Sequence, residues 1–167
     1  MDLDSADGLY ADVDNHHIEG FAHHGNTPVK CPLITQIDGN LWQGGCIDGV
    51  SLGKRFEHVI SLYPWEKYTT TNMLASMLEV KLYDSNEMPD RRLIEQIADW
   101  INTCVDKGPT LVHCQAGLNR SSLVAAVALM RRHPDWAPDY VINLLRERRS
   151  PAVLCNPTFR DWLENYR

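Results

Sequence analysis

A cysteine and an arginine stand at the two ends of a short loop in Val112-His113-Cys114-Gln115-Ala116-Gly117-Leu118-Asn119-Arg120-Ser121. Apolar residues around Pro109-Thr110-Leu111-Val112 precede the loop, and a helical run from Ser122 to Arg132 follows it. The pattern HCxxGxxRS therefore predicts a buried strand, a tight loop and a helix. Such a loop turns successive backbone N–H groups inward, and the helix N-terminus adds the positive end of its dipole. The site so formed suits a tetrahedral dianion such as phosphate. Cys114 would lie at its floor as nucleophile, and Arg120 would fork onto two phosphate oxygens. A thiol attacks weakly and a thiolate strongly. Inward amides from Gln115 to Arg120, the helix N-terminus and the Arg120 charge all favour the thiolate. Gly117 lets the loop turn where a Cβ would clash. Ser121 is placed to donate a hydrogen bond to the sulfur as it leaves, and His113 to bond loop backbone and fix its shape. Gln115, Ala116, Leu118 and Asn119 complete the candidate phosphate-binding loop. Taken alone, Cys114 reads as a small buried hydrophobe and Arg120 as a surface helix residue. The glycine, arginine and serine at fixed offsets argue for the chemical reading.

These residues resemble the signature loop of the cysteine-dependent protein tyrosine phosphatases, and in particular the small dual-specificity phosphatases. His113 to Ser121 match that loop at every defining position. Ile37-Asp38-Gly39-Asn40-Leu41-Trp42-Gln43-Gly44-Gly45 resembles the opening strand pair of the same domain. Phe56 to Leu62 resembles its next core strand, and Arg146 to Phe159 the segment entering its last helix. The resemblance runs from about Pro32 to the C-terminus. It implies a phosphocysteine intermediate, no metal or other cofactor, and a phosphorylated protein or peptide as substrate.

A leaving alkoxide or phenoxide must be protonated, so a carboxylic acid has to reach the loop from another segment. The family carries an aspartate on a loop after a core strand, and Asp84 falls at that place. Here Met77 to Leu82 reads as the strand and Tyr83 to Asp90 as the loop. Glu87 and Asp90 are the other carboxylates within reach of this role. Asp90 also fits as the N-cap of a helix over Arg91 to Lys107.

The elements needed to position these groups can be read from periodicity. Short strands are expected near Leu33–Ile37, Leu41–Gln43, His58–Leu62, Leu78–Leu82 and Thr110–His113. Leu93, Ile94, Ile97, Trp100, Ile101, Cys104 and Val105 recur at helical spacing, and Gly108 ends that helix. Leu118 to Arg132 is apolar nearly all round, which marks a central buried helix. Val141, Ile142, Leu144 and Leu145 mark another helix. Asn156-Pro157 opens a last one as N-cap and first-turn proline. The expected fold class is α/β: a mostly parallel central sheet of about five strands flanked by helices on both faces, dual-specificity phosphatase-like. The loop would sit at the carboxyl end of a central strand.

At 167 residues and 44% apolar content, one domain with a real core is expected. Residues 1–29 hold six acids and no Lys or Arg, while residues 30–167 balance sixteen acids against sixteen bases. The whole net charge of −6 is therefore carried by the leader. We expect residues 1–28 to form a flexible acidic tail and residues 29–167 the catalytic domain. His16, His17, His23 and His24 in that tail read as a polar leader or a weak metal site, with no second ligand cluster at zinc spacing. The acidic tail could also lie over a basic catalytic mouth. No apolar run approaches the roughly 20 residues of a membrane span, and no signal-peptide pattern opens the chain. A cytoplasmic location, no membrane partner and five reduced cysteines are expected.

Phosphotyrosine, phosphoserine and phosphothreonine are the expected substrates. The chain is too short for the extra loop of tyrosine-specific relatives, and uncharged Gln115, Ala116, Leu118 and Asn119 argue against a polyanionic lipid. Tyr63-Pro64-Trp65-Glu66-Lys67-Tyr68 reads either as an aromatic rim or as ordinary packing. Two rivals are an RNA 5′-phosphatase, favoured by Asn119-Arg120, and a non-catalytic phosphoprotein-binding module. Asp84 and the neutral catalytic region disfavour nucleic acid. The presence of both Cys114 and Arg120 disfavours the binding module.

Overall fold

The computed structural model describes residues 17–18, 22–24, 26–29, 31–47, 49, 51–52, 55–65, 68–70 and 73–167. Most of the expected flexible tail, His16 included, lies outside them. The described elements are β1 (His17–Ile18), β2 (Ala22–His24), β3 (Thr27–Val29), β4 (Ile34–Asp38), β5 (Leu41–Gly44), β6 (Ser51–Leu52), β7 (His58–Ser61), β8 (Thr69–Thr70) and β9 (Ser76–Glu79). They are followed by α1 (Arg91–Val105), β10 (Thr110–His113), α2 (Arg120–Arg132), α3 (Pro138–Arg148) and α4 (Pro157–Glu164).

The main sheet runs β1-β4-β5-β10-β7-β9. Its four strands β5, β10, β7 and β9 are parallel, and β4 and β1 close one edge antiparallel. The five expected strands are present, with the two-residue β1 as a sixth. The hairpin β2–β3 forms a separate two-stranded sheet that crosses the composition boundary drawn at residue 28. Strand β10 is central, with His113 in register with Gly44 on one side and Ser61 on the other. The chain therefore leaves the sheet at Cys114 from the carboxyl end of a central strand, where open α/β sheets bind ligands.

Alternation along the strands divides the core into two parts. Ile37, Leu41, Ile60 and Val112 face a larger cluster that contains the buried apolar side chains of all four helices apart from Cys104 and Ala125. Ile34, Trp42, Val59 and Leu111 face a smaller cluster with Leu33, Cys46, Leu52 and Phe56. Among the described residues no α-helix contributes to this second face, which corrects the expectation of helices on both faces. Short strands and loop residues cover it instead. Buried parallel strands need cover on both faces, not necessarily helical cover.

Helix α2 is the axis of the larger core. Every residue from Arg120 to Met130 is buried, and Leu123, Val124 and Val127 are fully enclosed. Its exposed end is tied to α1 by Arg131–Asp99 at 2.7 Å and Arg132–Asp106 at 2.7 Å. Asp90 caps α1 by accepting from the Leu93 N–H at 3.1 Å, and Asn156 caps α4 through the Thr158 and Phe159 N–H groups. Both match their sequence signals.

Strand β9 ends at Glu79, three residues short of the expected end at Leu82. Its partner β7 stops at Ser61, so the ladder loses its template there. Val80 and Leu82 still donate to the Ser61 and Leu62 carbonyls, at 2.9 and 3.5 Å, and lead the chain irregularly toward Asp84.

Truncating Leu123 to alanine is expected to cost about 2–5 kcal/mol. Urea unfolding checks this as a lowered midpoint with an unchanged m-value. An unshifted midpoint would show that α2 does not anchor the core.

Candidate active site

Between β10 and α2, residues 114–119 fold as a closed loop around the Cys114 sulfur. Cys114 is buried. Its N–H donates to the Gly44 carbonyl at 3.2 Å, which extends the sheet by one bond. Its Sγ accepts from the Gly117 N–H at 3.3 Å and lies 3.2 Å from Ser121 Oγ. Gln43 Nε2 donates to Ser121 Oγ at 2.7 Å. The Ser121 proton is thus left for the sulfur or for the Gly44 carbonyl at 3.4 Å. Gly117 sits at φ 70°, and a Cβ there would collide with the Gly44 carbonyl carbon and the Arg149 guanidinium. Only glycine meets both conditions without strain.

His113 is fully buried, and its Nδ1 lies 3.2 Å from the Cys114 carbonyl oxygen. A carbonyl only accepts, so Nδ1 carries the proton. Nε2 then accepts from the Tyr68 hydroxyl at 2.7 Å. Burial pulls the imidazole down to about 4, keeping it neutral. Burial pushes the Tyr68 phenol up, so it retains its donor. The pair braces the loop and does not titrate near neutrality.

Arg120 opens α2 and is almost enclosed. Its guanidinium lies 4.8 Å from the centroid of the Tyr63 ring, and Nη1 donates to the Leu82 carbonyl at 3.3 Å. Its Nε is buried with no hydrogen-bond partner among the described residues. A buried donor without an acceptor is costly, and an incoming oxyanion removes that cost. From Tyr63 an aromatic row continues outward. Trp65 lies 4.8 Å from Tyr63, and Tyr83 5.7 Å from Trp65. Tyr83 and Trp65 are exposed. Of the two readings of the insert, its first half forms a rim beside Arg120, and Tyr68 packs inward on His113.

Asn119 stands at the N-cap of α2, yet its side chain makes no capping bond. It turns away from the helix instead. Its Nδ2 donates to Asp84 Oδ2 at 2.8 Å, and its Oδ1 accepts from the Asn156 N–H at 2.9 Å. The first-turn amides of α2 are thereby left without a side-chain cap, in the geometry that favours an anion. Asp84 is thus docked on the loop. Its Oδ1 accepts from Asn156 Nδ2 at 2.7 Å, and its Oδ2 also lies 3.1 Å from His24 Nε2. Burial raises the Asp84 pKa. The donors Asn156, Asn119 and His24, together with the Arg120 charge, outweigh that and hold the carboxyl below its ordinary value. The other candidate carboxylates lie elsewhere. Asp90 is engaged as the α1 cap, and Glu87 is exposed.

Arg149 has a role that its place in the sequence does not suggest. Its sequence position at the end of α3 suggests dipole complementation or contact with an acidic substrate. The structure buries it behind the loop. Nη2 donates to the Ala116 carbonyl at 2.9 Å, Nε to the Gly117 carbonyl at 2.7 Å, and Nη1 to the Pro32 carbonyl at 2.7 Å. Gln43, Arg149, Asn156 and His24 carry no sequence signal for these contacts with the loop and Asp84, and Tyr68 reads only as part of the aromatic insert. Gln43 lies inside the segment that resembles the family, and Asn156 reads in the sequence only as a cap. The five cysteines are free, and the exposed Cys155 Sγ lies 3.4 Å from Asn119 Nδ2.

Comparison with known proteins agrees with this geometry. The family model described as "Dual specificity phosphatase, catalytic domain" matches residues 49–167. The chain is 27% identical over 156 residues to "Dual specificity protein phosphatase OPG106" of Monkeypox virus, an alignment that covers 88% of each chain. It is 27% identical over 139 residues to "Dual specificity protein phosphatase 15" of Mus musculus, covering 80% of this chain and 57% of the mouse protein. The crystal structure of human DUSP28 superposes with a TM-score of 0.64 at 17% identity, over 78% of this chain and 92% of that one. That last likeness establishes the fold. The family match spans most of the chain and includes the whole loop from His113 to Ser121, so the chain belongs to the dual specificity phosphatase family and is a protein phosphatase of that class.

Proposed function

We propose that this chain hydrolyses phosphotyrosine, phosphoserine and phosphothreonine in proteins through a phosphocysteine formed on Cys114. The observation that carries this reading is the convergence on one loop of a thiol, an unpaired guanidinium N–H and a docked carboxylate. In the first step the Cys114 thiolate attacks phosphorus in line. The phosphorus–oxygen bond to the side chain breaks as Asp84 gives its proton to the leaving oxygen. Arg120 and the loop amides from Gln115 to Arg120 hold the three remaining phosphoryl oxygens as charge redistributes. In the second step Asp84, now a carboxylate, takes a proton from water. The resulting oxygen displaces the sulfur, and Ser121 Oγ donates to the departing thiolate. His113 holds the loop, and Gly117 gives it room. The charge-stabilising work falls to the guanidinium and the amides, so the scheme uses no metal.

The partner is a phosphorylated protein or peptide segment. Absence of lysine among Gln115, Ala116, Leu118 and Asn119 supports this over a polyanionic lipid, and the rim of Tyr63, Trp65 and Tyr83 suits an aromatic phosphoester. Residues 29–167 are the proposed catalytic unit, and the cytoplasm the proposed location. Among the described residues no helix is long and apolar enough to cross a membrane.

Replacing Cys114 with serine is expected to abolish release of p-nitrophenol from p-nitrophenyl phosphate. Turnover near the wild-type rate would rule out the covalent step. Asp84→Asn is expected to lower kcat/KM for phosphopeptides by about 10²–10⁴-fold. The sign of the pH dependence follows from the acid's role. Protonated Asp84 is the active form in the first step, and its carboxyl is held below the usual range. kcat/KM should therefore fall as pH rises through that pKa, and the asparagine variant should lose this limb. A variant that keeps both its rate and its limb would move the acid role to another residue.

A further inference from the structure

Asp84 has three donors on two oxygens, and they are not equivalent. Asn119 and Asn156 are buried, and each is fastened to the other by the Asn156 N–H bond to Asn119 Oδ1. His24 comes from the hairpin β2–β3, which among the described residues shares no ladder with the main sheet. Its side chain is 48% exposed, and it shares Oδ2 with Asn119. His24 is thus the one of the three donors that solvent reaches freely.

The geometry points to His24 as a positioning residue that restrains Asp84 in its ionised form and does so more strongly when its own imidazole is protonated. This rests on the reading of Asp84 as the proton donor. The first step needs a proton on Asp84. A neutral His24 with its proton on Nε2 donates to Oδ2 and opposes that proton. An imidazolium opposes it further, because it adds a full charge. The restraint is useful in the second step, where the carboxylate must accept a proton from water. The titratable and charged groups around the carboxylate are His24 from the hairpin, Arg120 from α2, and the Cys155 thiol beside Asn119. Of these, the imidazole is the one whose ordinary pKa, about 6.5, lies in the physiological range.

The test is the ratio of kcat/KM for His24→Ala over wild type, measured on a phosphotyrosyl peptide across the pH range. Titration of Cys114 and of the substrate phosphate is common to both enzymes and cancels in the ratio. We expect a ratio of about 2–5 below pH about 6.5, falling above it to a smaller value that stays above one, because the neutral ring still donates to Oδ2. His24→Gln keeps an N–H donor without a titrating charge, so its kcat/KM relative to His24→Ala should stay constant with pH, while relative to wild type it should change through the imidazole range. In an Asp84→Asn background His24→Ala should change nothing. A ratio at or below one, or one that is flat through the imidazole range, overturns the inference and leaves the Asp84 assignment intact. If Asp84→Asn alone keeps the wild-type basic limb, the Asp84 assignment fails and the inference falls with it.

Discussion

A loop that turns its amides inward must turn its carbonyls outward, and the rest of the site depends on satisfying them. Buried backbone acceptors left without donors are costly. Here every carbonyl from His113 to Asn119 is taken. His113 O accepts from Leu62 N–H, Cys114 O from the His113 ring, Gln115 O from Cys46 N–H and Ala116 O from Arg149. Gly117 O accepts from both Arg149 and Gln43, Leu118 O from Leu154 N–H, and Asn119 O from Leu123 N–H. The donors come from β5 and β10, the chain after β5 and β7, the end of α3, the turn before α4, and α2 itself. Much of the fold near the loop can be understood as the scaffold that delivers these donors.

This explains features that look incidental one at a time. Leu154 is fully buried at φ 58°, an uncommon conformation for a branched residue. That turn aims its N–H at the Leu118 carbonyl at 2.8 Å and swings Cys155 and Asn156 onto Asn119. Asn156 then serves three ends at once. It caps α4 through Oδ1, bonds Asn119 through its N–H, and holds Asp84 through Nδ2. A position that reads in the sequence as an ordinary N-cap before proline is also the hinge between the phosphate loop and the candidate acid.

The parts legible in the sequence are those whose logic is local. Cys114, Gly117 and Arg120 announce themselves by spacing within one loop. Asp90 and Asn156 announce themselves as caps because the bonds they make are two or three residues away. The five sheet strands and the first three helices follow from periodicity, and the fourth from its cap and first-turn proline. The illegible parts are long-range. Arg149 reaches Pro32 across 117 positions and Gln43 reaches Ser121 across 78. Nothing in a run such as Arg146-Glu147-Arg148-Arg149 says which arginine turns inward. His24 lies in a stretch whose acidic composition reads as tail, and only the folded chain brings it to Asp84. The cover of the second sheet face is hidden for a related reason. Two-residue strands such as β6 and β8 are too short to show any period.

The electrostatics of the loop follow from what its two buried arginines lack. Arg149 is held by three carbonyls, by the Thr35 hydroxyl at 3.3 Å and by Cys31 Sγ at 3.7 Å, with no carboxylate among these partners. Burial lowers its pKa, the mark of a desolvated charge. Arg120 is held by the Leu82 carbonyl and the face of Tyr63, neutral in both cases. A cation over an aromatic face recovers about 0.5–2 kcal/mol, far less than a paired carboxylate would. A carboxylate on either guanidinium would relieve the burial and also cancel the positive potential at the loop. Asp84 comes close enough to Arg120 to feel its charge, yet its hydrogen bonds go to Asn119, Asn156 and His24. Outside the acidic leader the chain balances sixteen acids against sixteen bases, so the site's charge comes from local placement and not from composition. Two guanidinium charges with no carboxylate hydrogen-bonded to them among the described residues, around an uncapped helix N-terminus, leave an imbalance of the kind that a bound dianion would resolve.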